Sequence, residues 1–450
     1  GDAIGKTGIE KIYEDDLRGT PGVERLQVDA RGKSLGPLSS TPPQQGHDVV
    51  LTVDLEVQRL AEESLAKGID AARKAHTKDG KGFPAPAGAV VVLDPRDGSV
   101  LALASHPTYD PAAFLNGISQ ADYHFLQDPA NHFPLNDRTV TGQYAPGSTF
   151  KLITALAGLR SGLIQPNTTI VDKGSLRVGN RTFRNAGGTS YGPVNLQKAI
   201  TVSSDVYFYS MGASFWAKRN QLGETPIQDT ARLFGLGEKT GVPLSPEMSG
   251  RVPDPEGRKK LHELKPQAFP EGKWFPGDNV NLAIGQGETV VTPLQLANAY
   301  ATFANGGTLW EPRIASAVED RGGRVVRTLD SIVKRKIDLP PQQRDPILRG
   351  LEGVTRDPKG TAHGAFLGFP LDRFPVAGKT GTAQVAGKQD TALFASFAPA
   401  NSPTPEYAIV SVVEEAGFGG SISAPIVRRI YDGIIGASPT GDVQLQAGHD

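Results

Sequence analysis

At 450 residues, with 47 Lys and Arg against 48 Asp and Glu, the chain is close to neutral, so nothing points to a polyanionic partner such as nucleic acid. The absence of cysteine excludes disulfides, thiolate catalysis and Cys-based metal sites in one step. The length can bury a large core, expected as one large and one small unit, and no run approaches the ~18 apolar residues of a membrane span.

Residues 1 to 46 are rich in Gly, Pro and charge and end in Leu38-Ser-Ser-Thr-Pro-Pro-Gln-Gln-Gly46. They cannot form a core of their own and read as a fragment of a larger extended module. Val49 to Val53 predicts a strand, and Asp54 can cap a helix over roughly 55 to 76, with Leu55, Leu60, Ala61, Leu65 and Ile69 in helical period. Within it, Ser64-x-x-Lys67 reads as a solvated helix face. Residues 77 to 87, rich in Lys, Gly and Pro, predict a loop. Ala89 to Leu93 and Val100 to Leu103 flank Asp97-Gly98, a hairpin signal.

Ser148-Thr149-Phe150-Lys151 then follows Tyr144-Ala-Pro-Gly147 and precedes Leu152, Ala155, Leu156 and Leu159, spaced as one face of a helix. Residues three apart on a helix share a face. A serine hydroxyl and a lysine amine are thus expected side by side at a helix N-terminus, where backbone N–H groups point outward. Alone the pattern is weak: Ser-x-x-Lys recurs at Ser64 and at Ser331, the latter before the basic run Lys334-Arg335-Lys336, read as exposed surface. Ser203-Ser204-Asp205, the one Ser-x-Asp of the chain, raises its standing.

The region 240 to 280, dense in Pro, Gly and charge, predicts a long surface excursion. Within it, Trp274 and Phe275 read as loop aromatics packing locally; beyond it, Gly285-Gln-Gly287 lacks the strand and helix that a phosphate loop needs and reads as a turn. Lys-Thr-Gly occurs at Lys6, Lys239 and Lys379. Only the third leads into two strand-like runs, 391 to 398 and 407 to 413, so Lys379-Thr380-Gly381-Thr382 is expected on a strand walling a groove. Ile422, Ile426, Val427, Ile430 and Tyr431 predict a closing helix. Strands adjacent in sequence, with helices before and between them, argue for an antiparallel sheet packed by helices, an α+β fold.

The set Ser-x-x-Lys, Ser-x-Asp and Lys-Thr-Gly in this order resembles the transpeptidase domain of a class B penicillin-binding protein, over roughly residues 48 to 436. Asn281-Leu-Ala-Ile-Gly-Gln-Gly-Glu288, running into Thr292 to Asn298, is similar to the segment such domains carry between their second and third motifs. Gly5 to Glu14 with Leu17-Arg-Gly19 is similar to the end of their N-terminal pedestal. The resemblance implies a pedestal fragment at 1–47, a transpeptidase domain at 48–436 with the penicillin-binding/serine β-lactamase-like fold, and a flexible tail at 437–450. It also implies a place on the extracytoplasmic face of a bacterial plasma membrane, with an N-terminal anchor helix lying outside these residues.

By resemblance, Ser148 attacks a stem peptide ending in D-Ala-D-Ala, releases D-Ala, and passes the acyl group to a neighbouring stem amine, cross-linking peptidoglycan; β-lactams acylate the same serine. Ser203, Asp205 and Lys379 complete the catalytic set, Thr380, Gly381 and Thr382 hold substrate with Lys379, and the N–H groups of Ser148 and Thr382 form the oxyanion hole. A serine hydroxyl needs a base, and a lysine of ordinary pKa near 10.4 is neutral in only roughly one molecule in a few thousand at pH 7. Lowering that pKa by ~2.5 units for Lys151, with Lys379 as the nearby charge, costs about 3.4 kcal/mol.

Asp205 stands where the motif more often carries neutral Asn, and elongation-type members commonly carry Asp. Either it points away from Lys151, or Ser203 relays the proton inside a charged network. Some elongation-type relatives bind zinc between the first two motifs; residues 149 to 203 contain neither His nor Cys, so no metal and no cofactor is expected. A membrane glycosyltransferase of the SEDS type is the partner the resemblance implies. Two other readings stay open: a D,D-carboxypeptidase or β-lactamase that hydrolyses the acyl-enzyme, and a non-catalytic β-lactam sensor.

Overall fold

In the computed structural model, which describes residues 4–75, 80–115 and 117–437, Asp54 caps helix α1 (Leu55–Lys74) by accepting from the N–H groups of Glu56 and Val57. That satisfies two of the donors a helix start leaves open. The buried stripe of α1 is Val57, Ala61, Ser64, Leu65, Gly68, Ile69 and Ala72, stepping by three and four. Ser64 therefore faces the core and not solvent, which corrects the expectation from sequence; Lys67 is exposed beside Glu63.

Strands β1 (Gly88–Leu93) and β2 (Val100–His106) form the expected hairpin, with Gly98 at φ +76° in its turn. Of the loop expected over 77 to 87, residues 77–79 lie outside those described. Its end is anchored: Ala85 and Ala87 are buried, and Ala85 N–H donates to Glu415 O, because the segment runs directly into a fully buried strand.

Next come helices α2 (Lys151–Arg160), α3 (Leu196–Thr201), α4 (Asp205–Ala217), α5 (Pro276–Leu282), α6 (Pro293–Ala304) and α7 (Pro341–Arg356). Strands β3 (Ala377–Ala383), β4 (Thr391–Ala398) and β5 (Tyr407–Val413) and helix α8 (Ser423–Ile434) close the fold. The excursion expected over 240 to 280 is only partly on the surface. It runs into α5, where Asn279 and Val280 are buried, and Trp274 is buried with its Nε1–H donating to Asn279 Oδ1 at 2.8 Å. Ser331 precedes a strand, Ile332–Lys336, that pairs with Thr308–Glu311, so the basic run is sheet edge and not loose surface.

Five strands form one antiparallel sheet in the order β3-β4-β5-β1-β2, which makes the fold α+β. Successive residues of a strand face opposite sides, and both sides are buried. Val90, Val92, Ala102, Phe394 and Ile409 join the core beneath α1 and α8; Val91, Val100, Leu393, Ala395 and Val410 join the core beneath α2 and α6. The early hairpin adds to β5, which leaves β3 as an edge strand beside the Ser148 turn.

The N-terminal region is built differently. Helices Gly8–Ile12 and Glu14–Leu17 bury no residue, and the paired strands Val23–Val28 and Ser34–Thr41 are almost wholly exposed. They meet the rest through Arg327 with Asp16 at 2.5 Å and through Ile9, half-buried against the larger core. The tail expected over 437–450 lies, apart from Ala437, outside the described residues.

Candidate active site

Gly147–Phe150 is a single 3₁₀ turn that runs straight into α2. Glycine is required at its start: Gly147 has φ +52°, and a Cβ there would lie 2.6 Å from Thr382 O of β3. Gly147 N–H donates to Gly285 O at 3.0 Å, and a Cβ at Gly285 (φ +68°) would lie 2.4 Å from Gly147 O. Thr149 closes the turn through its hydroxyl to Pro146 O at 2.6 Å, and Tyr300 of α6 donates to Thr149 O at 2.9 Å. The turn bearing Ser148 is thus wedged between β3 and the Gly285-Gln-Gly287 turn. From Lys151 to Gly158 every residue of α2 is buried, where the sequence suggested one apolar face. Packing on both sides by sheet and helices removes the solvent face.

Lys151 is wholly buried, and its Nζ donates to Ser203 O (2.8 Å), Ser203 Oγ (3.0 Å) and Asp205 Oδ1 (2.7 Å). Of the two orientations left open for Asp205, the structure has it facing Lys151. An ammonium is costly to bury unless it is paired and hydrogen-bonded; here one carboxylate, one hydroxyl and one carbonyl receive it, and the Phe208 ring lies 5.5 Å away.

Lys379 reaches the same hydroxyl from β3, its Nζ 2.8 Å from Ser203 Oγ and 3.2 Å from Thr380 O. It too is wholly buried. Ser203 Oγ therefore lies between two lysines that are 228 residues apart in sequence (379 − 151). The backbone reaches that point through a left-handed residue: Ser203 has φ +57°, a conformation that costs a non-glycine residue about 1–2 kcal/mol. Ser203 N–H to Ile200 O and Ser204 N–H to Ala199 O tie the turn to α3, and Ser204 caps α4. Asp205, in the first turn of α4, has the charge a helix N-terminus favours.

A cavity of about 380 Å³ opens beside Asp205, lined among others by Ser148, Arg184, Asp205, Tyr209, Gln286 and Thr382. Burial pushes the Tyr209 phenol well up, and Asp205 adds to the shift, so this cleft residue is a neutral hydroxyl. Thr380 Oγ1 shares a 2.7 Å hydrogen bond with Thr361 Oγ1, and Gln286 Nε2 donates to Thr382 O at 3.1 Å.

Ser148, Lys151, Ser203, Asp205, Lys379, Thr380, Gly381 and Thr382 are all brought to this one region. Two neighbours escaped the motif reading. Gln286 lay inside the Asn281–Glu288 segment, which signals its presence but not its reach to β3. Thr361 had no signal in sequence. Among the described residues no three His, Asp or Glu side chains gather as a metal would need.

Residues 88–432 match the family described as "Penicillin binding protein transpeptidase domain", and residues 1–51 match "Penicillin-binding Protein dimerisation domain". The "Peptidoglycan D,D-transpeptidase MrdA" of Acinetobacter baumannii is 35% identical over 446 residues, covering 95% of this chain and 60% of the relative. The chain spans about three fifths of the length of the curated relatives it matches. Among solved structures, PBP2 of Pseudomonas aeruginosa in complex with WCK 5153 is 33% identical with a TM-score of 0.76, covering 99% of this chain and 84% of that one. PBP2 of Helicobacter pylori in complex with MreC is 30% identical with a TM-score of 0.76, covering 96% and 72%.

Proposed function

Because the chain belongs to the penicillin-binding protein transpeptidases, of the elongation type similar to PBP2, we propose that it is a serine D,D-transpeptidase acting on peptidoglycan stem peptides that end in D-Ala-D-Ala. The observation that carries this reading is the Ser203 hydroxyl held by Lys151 at 3.0 Å and Lys379 at 2.8 Å beside the cleft of Ser148.

Ser148 Oγ is the nucleophile. Lys151, one helical turn on, passes its own ammonium proton to Asp205 across their 2.7 Å hydrogen bond and, as the neutral amine, takes the Ser148 proton as the Oγ–carbonyl bond forms. The N–H groups of Ser148 and Thr382 receive the oxyanion, a contribution of roughly 3–4 kcal/mol per donor in such sites. The C–N bond to the terminal D-Ala then breaks, and its nitrogen takes a proton through Ser203, which touches both lysines. Lys379, Thr380, Gly381 and Thr382 receive the substrate carboxylate along edge strand β3. An amine of a second stem attacks the acyl-enzyme, forming the new amide and returning the proton to Ser148. Asp205 balances Lys151, so the site carries one carboxylate against two lysines and favours an anionic substrate terminus.

The same reading divides the chain into a pedestal fragment at 1–47, a transpeptidase domain at 48–436 and a tail at 437–450. It sets the whole protein on the extracytoplasmic face of the plasma membrane with a membrane glycosyltransferase as partner. Complexes of relatives with MreC and within a peptidoglycan synthase complex support that setting.

Intact-mass spectrometry with excess penicillin tests the proposal. We expect one adduct per chain, stable for hours and absent in Ser148→Ala. An adduct lost within seconds would make the protein a hydrolase, and no adduct would remove Ser148 as nucleophile.

A further inference from the structure

Asp172, at the end of the short strand Ile170–Asp172, is fully buried, and no step of the proposed reaction uses it. Its carboxylate accepts from Gly174 N–H at 2.8 Å, from Asn185 Nδ2 at 2.9 and 2.8 Å, and from Ser204 Oγ at 2.6 Å. With its proton given to Asp172, the Ser204 hydroxyl is left as the acceptor for Tyr207 N–H at 3.2 Å, the cap of α4. Asn185 acts on the same turn: its Oδ1 accepts from Val206 N–H at 2.8 Å, and its Nδ2 also donates to Thr189 O at 2.7 Å. Asn185 itself lines the cleft, together with Arg184, Gly187 and Ser148.

We propose that Asp172 is a positioning residue for the acyl transfer: through Ser204 and Asn185 it fixes the turn that carries Ser203 and Asp205, and it ties that turn to the cleft wall. The left-handed Ser203 would relax unless both its flanks were held. On the α3 side the backbone bonds to Ala199 and Ile200 hold it. On the α4 side the hold is by side chains: Lys151 on Asp205, and Ser204 and Asn185, both of which end on Asp172. A carboxylate suits this place because it only accepts, and two oxygens can take four donors. An amide would set an N–H against the N–H of Asn185 or the O–H of Ser204.

The proposal rests on the assignment of Ser203 made above. It is tested by rapid-mixing acylation of the whole chain with penicillin, which separates the dissociation constant of the first complex from the rate of the acylation step. Asp172→Asn is expected to slow the acylation step about 10–100-fold with the dissociation constant within about twofold, because a displaced Ser203 is felt in the transition state and not in the first complex. Ser204→Ala is expected to do the same, and the double variant to be no slower than the slower single.

Asp432→Asn is the control. That carboxylate is buried in α8 against Arg428 at 3.1 Å, and its loss should lower the melting temperature while leaving the acylation step unchanged. An unchanged acylation step in folded Asp172→Asn, or multiplying effects in the double variant, would overturn the proposal. Should Asp172→Asn not fold, Ser204→Ala decides: an unchanged step there also overturns it. A wild-type chain that takes no penicillin would instead remove the transpeptidase reading, and this inference with it.

Discussion

Ser203 combines a hydroxyl shared by two lysines with a backbone angle, φ +57°, that favours glycine. These two properties can be separated by substitution. Ser203→Ala and Ser203→Gly both lose the hydroxyl and are expected to acylate about 10²–10⁴-fold more slowly with penicillin, the usual reach of general acid–base catalysis. Ser203→Gly should nonetheless be the more stable of the two by about 1–2 kcal/mol, measured by denaturant unfolding, since only the alanine keeps the left-handed strain. At the neighbouring turn, Gly285→Ala would drive a methyl toward Gly147 O and Phe150 Cβ. A loss of about 1–3 kcal/mol is expected, together with slower acylation, because the turn that must yield carries Ser148.

At the scale of elements, α8 and α1 cover one face of the sheet through close approach at glycines. A Cβ at buried Gly68 of α1 would lie 2.3 Å from Cγ1 of fully buried Ile426 of α8. Gly68→Ala is therefore expected to destabilise by about 1–3 kcal/mol, while the folded fraction acylates at the wild-type rate. The end of β2 supplies a pH dependence. Burial, with Arg73 and Arg138 adding to it, holds the His106 imidazole below its usual pKa. The folded chain then binds that proton less readily than the unfolded chain does. Stability should fall as pH drops below about 6.5, and melting curves of His106→Gln should lack that part of the fall. These elements differ in how far sequence reveals them. The hairpin of β1 and β2, the cap of α1 and the apolar period of α8 follow from near neighbours in sequence. The all-round burial of α2 and the inward turn of Ser64 depend on what packs against them from far along the chain. For the same reason the Asp172, Asn185 and Ser204 contacts, spread over 32 residues, left no trace in any motif.

For the whole molecule, the three motifs announced the site because each carries chemistry in three or four contiguous residues. What sequence left undecided was the orientation of Asp205, which the meeting of α2 and α4 decides. The N-terminal region buries no residue in its two helices and meets the rest through the Arg327–Asp16 pair and half-buried Ile9. A chain beginning at Asp48 is accordingly expected to keep its acylation rate within about twofold and to lose little in melting temperature, measured side by side with the full chain. The enclosure of α2 also bears on how such a protein adapts. A bacterium under β-lactam selection has little freedom to vary Lys151 through Gly158, where almost any exchange opens a void or a clash. Tolerable change lies at the rim, at exposed Arg184 and Gln384. Resistance arising in this chain is therefore expected to alter how the drug enters and rests, leaving the reacting serine and its lysine as they are.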